Sequence, residues 1–161
     1  MNVTRERSLN ELIEDAVKGD RRSLPRLISK VENDRDVAKE TIKILYSRTG
    51  RAFVVGVTGP PGSGKSTLIA ALTKELSSAG KKVAIVAIDP SSMFSGGALL
   101  GDRIRMNELT EDPNVFIRSM ATRGSGGGLS RATADVVRVL DAASWNYVIV
   151  ETAGAGQTDL D

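Results

Sequence analysis

The stretch Gly59-Pro60-Pro61-Gly62-Ser63-Gly64-Lys65-Ser66 decides the fold. It follows the pattern of a glycine, any four residues, then Gly-Lys-Ser, which marks a loop that cradles phosphate. The flanks agree. Phe53-Val54-Val55-Gly56-Val57-Thr58 is an apolar run that reads as a buried strand. Thr67 to Leu76 follows with helical spacing. Glycines let backbone N–H groups turn inward as an anion-binding nest, and the helix that opens here aims its positive end at the phosphates. In such loops the lysine reaches the β- and γ-phosphates and the serine hydroxyl is a ligand of Mg²⁺. Lys65 and Ser66 take those roles here, while Pro60 and Pro61 stiffen the loop by fixing φ. A plain glycine-rich turn would need none of the Lys-Ser-helix sequel. The pattern therefore points to a nucleoside triphosphate and leaves the base open.

Composition narrows the class. A chain of 161 residues suffices for one domain with a real core. A hydrophobic share of 40% and a charged share of 26% are those of an ordinary globular protein. The net charge of +2 is too small to argue for nucleic acid or a membrane surface. No apolar run reaches membrane-span length, and the charged N-terminus is no secretory signal. The expected location is cytoplasmic, or an organelle matrix after processing. The chain has no cysteine and no histidine, which argues against a transition-metal carrier and excludes imidazole as a general base.

Residues 1–50 read as three short amphipathic helices ahead of the nucleotide core over 51–161. Ser8 and Glu11 fit a capping box, with Leu9, Leu12, Ile13, Ala16 and Val17 on one face and Gly19 as the stop. Ser23 is the expected cap of a second helix striped by Leu24, Leu27, Ile28 and Val31. Asp34 caps a third, with Val37, Ala38, Ile42 and Leu45, closed by Gly50. Helices this short need a surface to bury against, and packing onto the core is the expectation. A partner-docking surface is the other reading.

Downstream, Lys82–Ile88 is a second buried strand ending on Asp89-Pro90. A carboxylate there sits at the strand end where open α/β sheets bind ligands. Residues 91–101 and 119–128 read as glycine-rich loops, with Asp102 placed by spacing as a helix cap and Arg123 as an exposed cation. Asn114–Arg118 is a third strand. Leu129–Ala143 is a helix with Ala132, Val136, Val139 and Leu140 along one side, followed by Trp145 as a packing residue. Tyr147–Val150 is a fourth strand, running into Glu151-Thr152-Ala153-Gly154. A carboxylate after an apolar strand, with glycine three residues later, has the form of a nucleotide switch. Glu151 would hold Mg²⁺, usually through water, and the Gly154 N–H would sense the γ-phosphate. Gln157 could orient an attacking water. Alternating strands and helices imply a mostly parallel sheet flanked by helices. Four strands are few, and no Asn-Lys-x-Asp follows Glu151, so the sheet is expected to be incomplete and the chain truncated or completed by a second polypeptide.

Taken together, Gly59 to Thr67, Asp89-Pro90-Ser91-Ser92, Ser95-Gly96-Gly97, Leu100-Gly101-Asp102, Arg105-Met106, Thr122-Arg123-Gly124, Gly127-Gly128 and Glu151-Thr152-x-Gly154-x-Gly156-Gln157 resemble one family closely. It is the GTPase chaperones of methylmalonyl-CoA mutase, the MeaB/ArgK type of P-loop GTPase. The resemblance implies GTP hydrolysis with Mg²⁺ and binding to an adenosylcobalamin-dependent acyl-CoA mutase, whose cofactor loading and protection it would serve. It implies nucleotide contacts from Gly59 to Thr67 and at Gly154. It also implies metal or switch roles for Ser66, Asp89, Asp102 and Glu151, which turns Asp102 from a cap into a site residue. Lys65, Asp102, Glu151 and Gln157 would carry the catalysis. The family has Val where Ala153 and Ala155 stand and Ser-Glu at Thr158-Asp159. Its C-terminal half carries the guanine-reading motif and a dimerisation arm, so a homodimer is implied only for the full length. A nucleotide-binding docking piece without turnover and a small-molecule kinase or ATPase are the rival readings. A nickel-insertion GTPase is disfavoured by the lack of His and Cys.

Overall fold

The computed structural model describes residues 8–60, 62–89, 109–121 and 131–152, with only the backbone of Asp89, Ala121 and Arg131. Helices α1 (Leu9–Val17), α2 (Ser23–Asn33) and α3 (Arg35–Leu45) come first, and a 3₁₀ turn spans Tyr46–Arg48. Then follow β1 (Phe53–Val57), α4 (Lys65–Ser78), β2 (Val83–Asp89), β3 (Val115–Ala121), α5 (Arg131–Ala142) and β4 (Tyr147–Thr152). The strands form one parallel sheet in the order β1-β4-β2-β3. Parallel neighbours bring all four C-terminal strand ends to one edge, the edge at which open α/β sheets bind ligands.

Period-2 alternation sends strand side chains to two faces. One face carries Val83, Ile85 and Ile149 against Ile69 of α4. The other carries Ala84, Val86, Ile88, Met120, Val148 and Val150, in one apolar cluster with α5 and with all three N-terminal helices. The amphipathic N-terminal helices thus bury their stripes on the sheet's helical layer, as expected. Ile13, Leu27, Ile28 and Leu45 are fully buried there. Their burial contributes about 6 to 12 kcal/mol in gross terms, set against the conformational entropy of ordering these helices.

Local signals account for most helix ends. Ser8 and Glu11 form the capping box reciprocally, at 3.2 and 2.9 Å. Asp34 Oδ1 accepts from the Asp36 and Val37 amides. Ser23 differs from the expectation: it is the first residue of α2 and fully buried. Asp20 Oδ1 takes the capping role, accepting from the Arg22 and Ser23 amides at 2.8 and 2.7 Å. A carboxylate accepts more strongly than a hydroxyl, and turning Ser23 inward suits its small size. Trp145 packs on Phe116, ring centroids 5.7 Å apart, as a packing residue should.

β1 corrects the sequence reading. Its apolar run predicted burial, yet Phe53 is 66% and Val54 50% exposed. β1 is an edge strand of the described sheet, and local hydrophobicity does not report strand order.

Polar contacts over long sequence distances lock the layers. Arg118 on β3 donates to Ser29 and Glu32 of α2, a largely buried ion pair that ties the N-terminal helices to the sheet. Asp141, near the end of α5 and 8% exposed, accepts the backbone N–H groups of Gly50, Arg51 and Ala52. These are the residues that lead into β1. Ser77 of α4 donates to Asp112, whose second oxygen accepts from the Asn114 amide. Those two hydrogen bonds, the Ser77 hydroxyl foremost, hold the Asp112 carboxyl below its ordinary range. A carboxyl lowered in the folded state stabilises the fold above its unfolded pKa and loses that contribution as pH falls through the folded value. Acid-unfolding curves of the wild type and Asp112→Asn are therefore expected to differ above the ordinary aspartate range and to converge as pH falls through the lowered folded value. A gap that persists at the acid end would contradict this assignment.

Candidate functional site

β1 ends at Val57, which pairs in register with Glu151 of β4. That single register brings the Gly59–Ser66 loop and the Glu151 carboxylate together. The backbone of the loop is what glycine permits. Gly64 caps α4 at φ +85°, a left-handed conformation that side chains rarely adopt. Gly59 leaves room for Ser63: a Cβ there would lie 3.1 Å from Ser63 Oγ, with Lys65 Cδ at 3.7 Å. A side chain at Gly64 would strain the backbone, and one at Gly59 would press on the Ser63 hydroxyl.

No side chain caps the N-terminus of α4. The N-terminus of such a helix, with its dipole behind it, favours an anion. Lys65, the first residue of α4, curls back over the loop and donates from Nζ to the carbonyls of Gly59 at 2.8 Å and Pro60 at 3.0 Å. The ammonium is thus held against the start of the loop. Ser66 Oγ donates to Glu151 Oε1 at 3.0 Å, joining residues 85 apart in sequence. Both side chains are half-buried.

This donor set suits one kind of ion. A hydroxyl and a carboxylate are hard oxygen ligands, and Mg²⁺ is commonly held by one or two protein oxygens together with phosphate and water. No group of three or more acidic, His or Cys residues gathers among the described residues. The sequence singled out Lys65, Ser66 and Glu151 separately, and the fold brings them to one place. It missed the direct Ser66–Glu151 contact, whose signal is the placement of each residue at the C-terminal end of an apolar strand or in the loop that follows. Asp89 closes β2 at the same end of the sheet, with its side chain outside the described residues. Pro61, Asp102, Arg123, Gly154 and Gln157 also lie outside them. Thr67 follows on the exposed side of α4.

No helix among the described residues is long and apolar enough to cross a membrane. The model for the methylmalonyl-CoA mutase-associated GTPase MeaB matches residues 24–161. A Pyrococcus abyssi protein named only as a candidate GTPase is 57% identical over 153 residues, which is 95% of this chain and 47% of that protein. A fused isobutyryl-CoA mutase of Cupriavidus metallidurans is 43% identical over 152 residues, 91% of this chain and 14% of that protein. Among solved structures, one titled LAO/AO transport system kinase superposes with a TM-score of 0.74 at 28% identity, covering 98% of this chain and 47% of that one. The chain spans about half the length of the curated relatives it matches. With the family model matched across most of its length and the loop, lysine and acidic strand end in register, the chain belongs to the methylmalonyl-CoA mutase-associated GTPase family, MeaB.

Proposed function

We propose that the chain is the nucleotide-binding part of a Mg²⁺-dependent GTP switch that serves an adenosylcobalamin-dependent acyl-CoA mutase. The observation that carries this reading is the convergence of Lys65, Ser66 and Glu151 at the end of β1 and β4. Residues 51–161 are then the nucleotide-binding domain and residues 1–50 its helical extension. The guanine preference and the mutase partner come from the family, and a relative fused to an isobutyryl-CoA mutase supports the latter.

In this reading the loop amides and the α4 N-terminus bind the phosphates. Lys65 leaves the Gly59 and Pro60 carbonyls for the β- and γ-phosphate oxygens, where its charge offsets the negative charge that grows during transfer. Ser66 and Glu151 would hold Mg²⁺, and Asp89 and Asp102 would be its further carboxylates. When bound, the ion polarises the phosphates and neutralises charge on them. Gly154 reads the γ-phosphate and Gln157 orients water. Contacts that differ between triphosphate and diphosphate are what allow a nucleotide to shift a conformation. Those contacts here fall at Glu151, Gly154 and the residues from Asp89 to Asp102.

The test is a gel-filtration binding assay with purified methylmalonyl-CoA mutase, run with Mg²⁺ and either GTP, GDP or ATP. The reading predicts co-elution that depends on which guanine nucleotide is present, and no response to ATP. Co-elution indifferent to nucleotide, and unchanged in Lys65→Ala, would instead make the chain a docking piece without a switch.

A further inference from the structure

The outward side of α2 carries charge that its own helix disfavours. Residues 18–33 hold five basic residues, Lys18, Arg21, Arg22, Arg26 and Lys30, and two acidic ones, Asp20 and Glu32. Both acids are engaged within the fold. Asp20 Oδ1 accepts from the Arg22 and Ser23 amides, and Glu32 accepts from Arg118 of β3. All five basic residues are exposed, and the ion pairs found among the described residues use none of them.

Arg22, Arg26 and Lys30 stand four residues apart, so they line one side of the helix at intervals of about 6 Å. Folding does not ask for this arrangement. Like charges at that spacing repel. Arg21 and Arg22 sit at the N-terminal end of α2, where the helix dipole disfavours cations, and the first turn has no acidic residue to offset them. Local rules broken without a gain in the fold point to a demand from outside it.

The surroundings of the stripe favour a protein over a lipid or a nucleic acid. Leu24, Leu27, Ile28 and Val31 of α2 are at most 5% exposed, which leaves none of them to enter a bilayer. Residues 8–33 contain no aromatic side chain on which a base could stack, and the chain's net charge of +2 is small for a nucleic-acid binder. Carboxylates three or four residues apart on a partner helix repeat at the interval of the stripe. The stripe is also firmly mounted. The apolar side of α2 is buried in the core, and Glu32, next to the last turn of the stripe, is tied to β3 through Arg118. A surface already ordered loses little freedom on docking. We infer that Arg22, Arg26 and Lys30 form a docking surface for an acidic face of the acyl-CoA mutase, a partner assignment that rests on the function proposed above. The inward side of α2 serves the core and the outward side meets the partner.

The test measures association of purified methylmalonyl-CoA mutase at low and high salt with three forms of the chain. These are the wild type, Arg22→Glu/Arg26→Glu, and Lys74→Glu/Lys81→Glu as a control of equal charge change. The stripe variant is expected to bind at least about tenfold more weakly and to lose most of the salt dependence, while the control stays near wild type. Its unfolding midpoint is expected to stay level or rise, because acidic residues at these two positions suit the helix dipole and face Lys30. If that variant fails to fold, Arg22→Gln/Arg26→Gln is read in the same way. Equal mutase binding by the wild type and the stripe variant would overturn the inference and leave the proposed function standing. No mutase binding by the wild type in any nucleotide state would overturn both. An equal loss in the control would also overturn it, because net charge alone then explains the effect. So would retention of the wild type, but not the stripe variant, on phosphatidylglycerol vesicles or duplex DNA with mutase binding unchanged.

Discussion

Lys65→Ala is expected to weaken binding of Mg²⁺-nucleoside triphosphate at least about a hundredfold while leaving the fold intact. A hydrogen bond to a charged group is worth about 1.5 to 3 kcal/mol, and the lysine would meet two phosphates at once, so a loss of about 3 kcal/mol or more follows. The stability cost is small by comparison. Among the described residues Lys65 donates to the Gly59 and Pro60 carbonyls, Pro60 is exposed and Gly59 half-buried, and water replaces the ammonium at both. A shift in stability of about 1 kcal/mol or less is expected. Fluorescent-nucleotide titration read beside thermal unfolding separates the two effects. Retained affinity would move the phosphate site off this loop.

The largest loss of stability is expected at Asp141, far from any nucleotide contact. Asp141→Ala removes the acceptor of three backbone N–H groups at Gly50, Arg51 and Ala52, in a place where the carboxylate is buried. Each orphaned donor costs about 1 kcal/mol or more where water cannot replace the partner, so a loss of about 3 kcal/mol is expected. That is a large part of the 5 to about 15 kcal/mol typical of a domain. Asp141→Asn should fall between, since one amide oxygen still accepts from Arg51 and Ala52 while its NH₂ meets the Gly50 donor. Urea denaturation should lower the midpoint with little change in slope. An unchanged midpoint in the alanine variant would mean these amides find water, and that β1 is held by its ladder alone.

These two residues also mark what can be read from sequence. Lys65 belongs to a pattern within eight residues whose neighbours explain one another, and a strand before it and a helix after it formed where they were read. The same holds for the stripes of α1 and α2, for the Ser8 capping box and for the Asp34 cap, because each depends on residues within a turn or two. Asp141 gave no such signal. Its partners lie about ninety positions away, and an aspartate near a helix end is ordinary in isolation. Arg118 and Glu32 are hidden from sequence for the same reason. The exposure of β1 was misread because apolar sequence reports what a strand requires, while strand order decides what it receives. Within the candidate site, the loop and Glu151 were legible as separate motifs. Their meeting depended on β4 inserting beside β1, a matter of topology. The family resemblance found by motif agrees with the match to the family model over residues 24–161.

The most direct measurement is calorimetric titration of GTP into the folded chain, with and without Mg²⁺, on the wild type and Glu151→Gln. The account predicts saturable one-site binding that Mg²⁺ strengthens. It also predicts that this strengthening falls away in Glu151→Gln, because the carboxylate that accepts from Ser66 at 3.0 Å is then no longer available to the ion. Binding that is blind to Mg²⁺, or no binding by a chain whose circular dichroism shows it folded, would contradict the account.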